Sequence, residues 1–171
     1  MDEKKIALIP KVVIAGAMGP KEYGLLLTDQ RAIFVLESAS KAGIGGALGG
    51  AIGAVIADAM SGDRKTVDYL GCDPAVLAQD EKNMCIPHAS IQSLRLKKSF
   101  SGYHLKVEYA NQLGKTKKVD ATLVIPSELA AQRKAEGVKN KAALEEYAQR
   151  ARQALELALP PAVTSKAELR L

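Results

Sequence analysis

Cys72, Cys85, His88 and His104 are the side chains best suited to hold a metal. Cys85-x-x-His88 spaces a thiolate and an imidazole so that they can share one ion. Cys72 stands well before that pair, and His104 falls in an alternating strand pattern, so the four complete no known zinc arrangement. Buried or partly buried thiols and ordinary histidines are expected instead, with no metal assigned. Leu113-Gly-Lys-Thr-Lys117 contains the Gly-Lys-Thr of a phosphate-cradling loop. That loop needs a glycine five residues before Gly114, where Tyr109 stands, and a helix after it, where a strand follows. It reads as a hairpin turn. No nucleophile, base and acid fall into a catalytic pattern, so the chain is expected to be no enzyme and to carry no cofactor.

The segment 42–57, AGIGGALGGAIGAVIA, has no charge, no polar side chain and no proline, and six of its sixteen residues are glycine. Gly-x-Gly-x-x-Gly fails within it, because Leu48 follows Gly43 and Gly45 at the third position. Gly45, Gly49 and Gly53 repeat every fourth residue, the pattern of a glycine-zipper helix. Its bulky ridge holds Ile44, Leu48, Ile52, Val55 and Ile56. A helix without a polar face must be hidden from water. Each interior glycine costs about 1 kcal/mol relative to alanine, so six cost on the order of 6 kcal/mol. Close backbone approach to another surface is what offsets such a cost. Sixteen helical residues reach only about 24 Å, short of the roughly 30 Å bilayer core. Lys41 and Asp58 close the two ends.

The chain has 171 residues, net charge +5 and a pI near 9.2. The charge is local. Between Ile91 and Lys118 lie Arg95, Lys97, Lys98, Lys106, Lys115, Lys117 and Lys118, against Glu108 alone. Such a surface suits anionic lipid or an acidic partner; lysines on strand edges also discourage edge pairing. Aromatics at 4% with no Trp argue against nucleic-acid stacking. Two cysteines and an N-terminus without an apolar leader point to a cytoplasmic setting.

These residues are positioned by a strand-rich body. Lys5–Ile9 and Lys11–Ala15 read as strands broken at Pro10. Tyr23–Thr28 and Arg31–Leu36 flank a tight polar turn and form a hairpin. Thr66–Leu70 is a candidate strand, and Asp73-Pro74 opens a short helix to Gln79. Ser90–Lys98, Tyr103–Tyr109 and Lys117–Ile125 complete the β region. Ser127 N-caps a helix to Gly137. A second helix from Asn140 buries Leu144, Tyr147, Ala148, Ala151, Leu155 and Leu159. Pro160-Pro161 stops it, and 161–171 is expected to be a flexible tail.

Gly24-Leu-Leu-Leu-Thr-Asp-Gln-Arg-Ala-Ile-Phe34 resembles the G-x-L-x-L-T-x-x-R-x-x-F hairpin of GRAM and bacterial PH-like domains. Ile86-Pro-His-Ala-Ser-Ile-Gln-Ser-Leu94 is similar to their I-P-Y-x-x-I-x-x-V segment, with His88 in place of Tyr. The resemblance implies a mainly β fold with α: a partly open antiparallel PH-like barrel capped by a C-terminal helix. Residues 1–126 would form the barrel and 127–160 the capping helices. The glycine-rich helix, within 41–62, is an insertion into that plan. The resemblance implies a binding or scaffolding module and no catalysis. Inositide recognition does not carry over, since Lys11 and Lys21 do not make the basic loop of eukaryotic PH domains. Thr28, Asp29 and Arg31 are expected to build the hairpin turn rather than to touch a ligand.

The leading expectation is a module that self-associates or docks on a protein through Ile44, Gly45, Leu48, Gly49, Ile52, Gly53 and Ile56. The alternative is a peripheral membrane protein. There the insert dips into lipid while Arg95, Lys97, Lys98, Lys115, Lys117 and Lys118 meet anionic head groups. The third reading is a soluble monomer with the insert buried within its own fold. No nucleic-acid partner is expected.

Overall fold

Alternation of apolar and polar residues dictates most of the strands, and a continuous apolar run dictates the central ones. In a computed structural model, residues 3–17, 19–39 and 65–171 are described. The predicted glycine-rich helix and its contact residues Ile44 to Ile56 lie outside the described residues.

The described chain is mainly β with a few helices. Strands β1 (Lys5–Ile14), β2 (Lys21–Thr28), β3 (Arg31–Ala39) and β4 (Met84–Pro87) form one antiparallel meander. Strands β5 (Ile91–Ser99), β6 (Gly102–Ala110) and β7 (Thr116–Leu123) form a second. β7 pairs with the last third of β1, Val12 opposite Leu123 and Ile14 opposite Ala121. Among the described residues the result is one eight-stranded sheet, β4-β3-β2-β1-β7-β6-β5-β8, with β4 and β8 at its edges. The inward faces of both meanders nevertheless share one apolar cluster, which contains Ile9, Leu25, Phe34 and Ile86 together with Leu96, Leu105 and Ala121. Sharing a core requires the sheet to curl around it.

Helix α1 (Pro74–Gln79) begins as its sequence predicts: Asp73 Oδ1 accepts from Ala75 N at 2.8 Å, and Pro74 fills the first turn. Helices α2 (Ser127–Ala135), α3 (Asn140–Ala158) and α4 (Pro161–Thr164) follow the second meander. Ser127 lies inside α2, whose cap is Pro126, so its side chain is not the predicted cap. α3 buries Ala143, Tyr147, Ala148, Ala151 and Leu155 on one stripe and lies against β1 and β2. Among the described residues no helix is long and apolar enough to cross a membrane.

Three expectations meet a different structure. Pro10 does not split β1; it sits at a register shift between Ile9 and Val12, a bulge that absorbs the missing N–H. Thr66–Leu70 is irregular, because Asp68 Oδ1 accepts from Leu70 N and Gly71 N and holds a turn. Residues 161–171 form α4 and then β8 (Ala167–Arg170), which pairs parallel with β5. Ala167 and Leu169 pack against the main cluster, and that burial orders the segment.

Candidate functional site

β2 is buried from Glu22 to Thr28 on both faces. Its inner face, Tyr23, Leu25 and Leu27, joins the main core, while Leu26 joins Ile33, Val35 and Leu77 in a second cluster outside the sheet. Val67, Tyr69, Cys72 and Cys85 pack on that outer cluster. Double coverage explains why this strand reads as a continuous apolar run rather than an alternation.

Towards Ala39 the same outer face turns polar while staying buried. Lys11 Nζ lies 3.1 Å from Glu22 Oε2, and the two side chains are 2% and 3% exposed. Glu37 and Ser38 are buried beside them on β3. The Tyr69 hydroxyl donates to Glu37 Oε1 at 2.5 Å. Gly24 makes the approach of Tyr69 feasible: a Cβ there would overlap the Tyr69 hydroxyl and lie 2.7 Å from Glu37 Oε1. From the inner side Tyr147 reaches the same bulge. Its hydroxyl accepts from Lys11 N at 3.1 Å and donates to Lys11 O at 3.3 Å. Burial pushes the Tyr147 hydroxyl up to about 12, and the charges of Glu37 and Glu22 add to the rise, so it remains a donor at neutral pH.

This polar pocket is also the root of the glycine-rich segment. The chain leaves β3 at Ala39, and on its return Lys65 N donates to Glu37 O at 2.9 Å. Departure and return therefore share one residue's neighbourhood. Burying ions is costly unless they are paired and hydrogen-bonded, so their concentration at this root is the most unusual feature of the described fold. Sequence reading missed it: Glu22 and Glu37 stand just outside the predicted strands Tyr23–Thr28 and Arg31–Leu36, and Lys11 only opens Lys11–Ala15. Nothing local brings them together.

The hairpin corner is structural, as expected for Thr28 and Arg31. Thr28 Oγ1 accepts from Arg31 N at 2.9 Å and Gln30 N at 3.2 Å. Arg31 pairs with Glu3 at 2.8 Å. Asp29 differs from expectation: its side chain accepts from Lys4 N at 2.9 Å, tying the start of β1 to the turn rather than bonding the turn itself. Beside this corner is an open depression of about 460 Å³ lined by Glu3, Lys5, Arg31, Cys72 and Asp73. Both of its cations are engaged. Arg31 is held by Glu3, and Lys5 Nζ donates to the carbonyls of Tyr69, Leu70 and Cys72 at 3.1, 2.5 and 3.1 Å.

The six basic candidates do not form one patch. On the outer face Arg95 lies 3.7 Å from Glu168, and Lys118 lies 2.8 Å from Glu108. Lys106 and His104 share Asp120 at 2.8 and 2.9 Å. Burial raises the Asp120 carboxyl, but hydrogen bonds from Lys106 and His104 outweigh it and hold the group below its ordinary range. Lys97 and Lys98 sit at the β5–β6 turn; Lys115 and Lys117 sit at the β6–β7 turn, the opposite end of β6. At ~3.4 Å per residue the ends of the nine-residue β6 are roughly 27 Å apart.

The four metal-capable side chains are also dispersed. Cys72 and Cys85 pack on the outer cluster, His104 binds Asp120, and His88 is buried with neither ring nitrogen partnered among the described residues. Among the described residues no three His, Cys, Asp or Glu side chains gather in a metal-holding group. Compared with protein-family models, with curated proteins and with solved structures, the chain matches none.

Proposed function

We propose that this chain is a non-catalytic, PH-like binding or scaffolding module that associates with itself through the glycine-rich segment. One observation carries the reading: the chain departs at Ala39 and returns at Lys65 beside the same residue, Glu37, while β2, β3 and β4 stay paired. The described ends on either side of the segment therefore meet at one place on β3. The order of elements, a four-stranded meander, a three-stranded meander and a C-terminal helix on the core, supports the PH-like part. The zipper spacing of Gly45, Gly49 and Gly53 beside the ridge of Ile44, Leu48, Ile52 and Ile56 supports the contact. Two such surfaces are self-complementary.

The test is Gly49→Leu, followed by light scattering and sizing. Self-association predicts a wild-type oligomer that Gly49→Leu reduces to monomer, with the far-UV spectrum and melting temperature retained. A monomeric wild type, or an oligomer indifferent to Gly49→Leu, overturns the proposal. Global unfolding by this substitution points instead to a segment packed within its own chain.

A further inference from the structure

The tip of the β5–β6 hairpin presents one aromatic ring to solvent. Phe100 is fully exposed, and Phe100 and Ser101 form the two-residue turn between Ser99 and Gly102. Gly102 takes φ +125°, and a Cβ there would meet nothing within 4 Å, so this glycine serves the conformation of the turn and not its packing. An exposed phenyl ring on a turn contributes nothing to the core.

Cations outnumber acids around it, and Glu168 on β8 is engaged by Arg95. Across the parallel β5–β8 register Lys97 stands opposite Arg170, and both side chains are exposed. Like charges directly opposite destabilise a sheet. Neither has an acidic partner among the described residues. Lys98 is poised by the Tyr103 ring, with its Nζ 5.4 Å from the ring centroid. The acids nearby are committed or behind: Asp120 is shared by His104 and Lys106, and Glu145, whose charge reaches Lys98, belongs to α3.

We propose that this tip docks on an anionic lipid bilayer, with the Phe100 ring among the head groups and Lys97, Lys98 and Arg170 on lipid phosphates. A single ring on a convex turn is far smaller than the ~800 Å² that each partner of a stable protein pair buries. It does match what a bilayer accepts: one apolar insertion plus a basic cluster, the two signals that membrane attachment needs. Each cation near an anionic surface is worth roughly fivefold in partitioning. The inference does not rest on self-association.

The chain contains no Trp, so Phe100→Trp installs a single reporter at the tip. It is mixed with phosphatidylcholine vesicles with and without phosphatidylserine. Emission should shift to the blue, and the protein should float, only with phosphatidylserine and only at low salt. Adding Lys97→Ser and Arg170→Ser should weaken that binding roughly 25-fold. Leu113→Trp, on the exposed turn at the other end of β6, should not shift. Absence of a shift for Phe100→Trp at low salt overturns the proposal, as does an equal shift for Leu113→Trp. A shift that appears without vesicles and grows with protein concentration overturns it in favour of a protein contact.

Discussion

Lys11 and Glu22 form an ion pair of 3.1 Å with neither side chain more than 3% exposed. The pair lies where β1 bulges after Pro10, and the backbone of Lys11 is held from the other side of the sheet by Tyr147. A single residue thus ties helix α3, the bulge and the buried outer face together. No acid other than Glu22 pairs with Lys11 among the described residues.

Removing the carboxylate strands the ammonium. Glu22→Leu should cost about 3–5 kcal/mol, the usual penalty for leaving a buried charge uncompensated. Glu22→Gln keeps an acceptor oxygen near Lys11 Nζ and should cost less. Urea unfolding followed by circular dichroism measures both. A neutral Glu22→Leu would show that Lys11 escapes to water.

Gly24 should tolerate no side chain while Tyr69 is present. Gly24→Ala forces the Tyr69 hydroxyl off Glu37, and overpacking of this kind costs about 1–3 kcal/mol. In a Tyr69→Ala background the clash with the ring is gone, and only the approach to Glu37 remains. The cost of Gly24→Ala should then shrink by more than ~0.5 kcal/mol, a coupling that a double-mutant cycle measures. Additive effects would place Tyr69 elsewhere.

Acid should weaken the fold through His88. Burial lowers its pKa, against a partial rise from Asp29 and Glu3. The native ring therefore resists a proton that the unfolded chain accepts near pH ~6.5. Unfolded chains bind more protons in that window, so stability is full above it and falls as pH drops towards the lowered native value. The slope can reach about 1.4 kcal/mol per pH unit from this one group. Unfolding free energies measured from pH 7 to 5 should show it, and His88→Leu should flatten it. An unchanged slope in His88→Leu would assign the acid sensitivity to another group.

Local signals were sufficient wherever one chain segment sets its own geometry. Asp73-Pro74 capped α1 as read, Thr28 closed its hairpin, and the α3 stripe around Tyr147, Ala148, Ala151 and Leu155 went inward. They misled where a distant strand decided the outcome. The last residues looked like a tail because Pro160-Pro161 ends a helix, yet β5 offered Ala167 to Arg170 an edge. Thr66–Leu70 looked like a strand for a local reason instead: its apolar pattern hid the turn that Asp68 makes with the backbone of Leu70 and Gly71. The basic segment looked like one surface because proximity in sequence hides the reversal of direction at each hairpin, and because Asp120 and Glu168, its neutralising partners, lie outside it.

The sequence by itself determined the alternating strands, the amphipathic α3, the hairpin chemistry at Thr28 and Arg31, and a glycine-rich stretch that no polar face shields. Each depends on periods of two or 3.6 residues, or on side chains within four positions of their partners. Only the tertiary structure decided that Lys11 meets Glu22, that Tyr69 meets Glu37 over Gly24, and that Lys97 faces Arg170. Those pairs join residues far apart in the chain, and strand order and register set their meeting. A shift of one residue in register would turn each side chain to the opposite face.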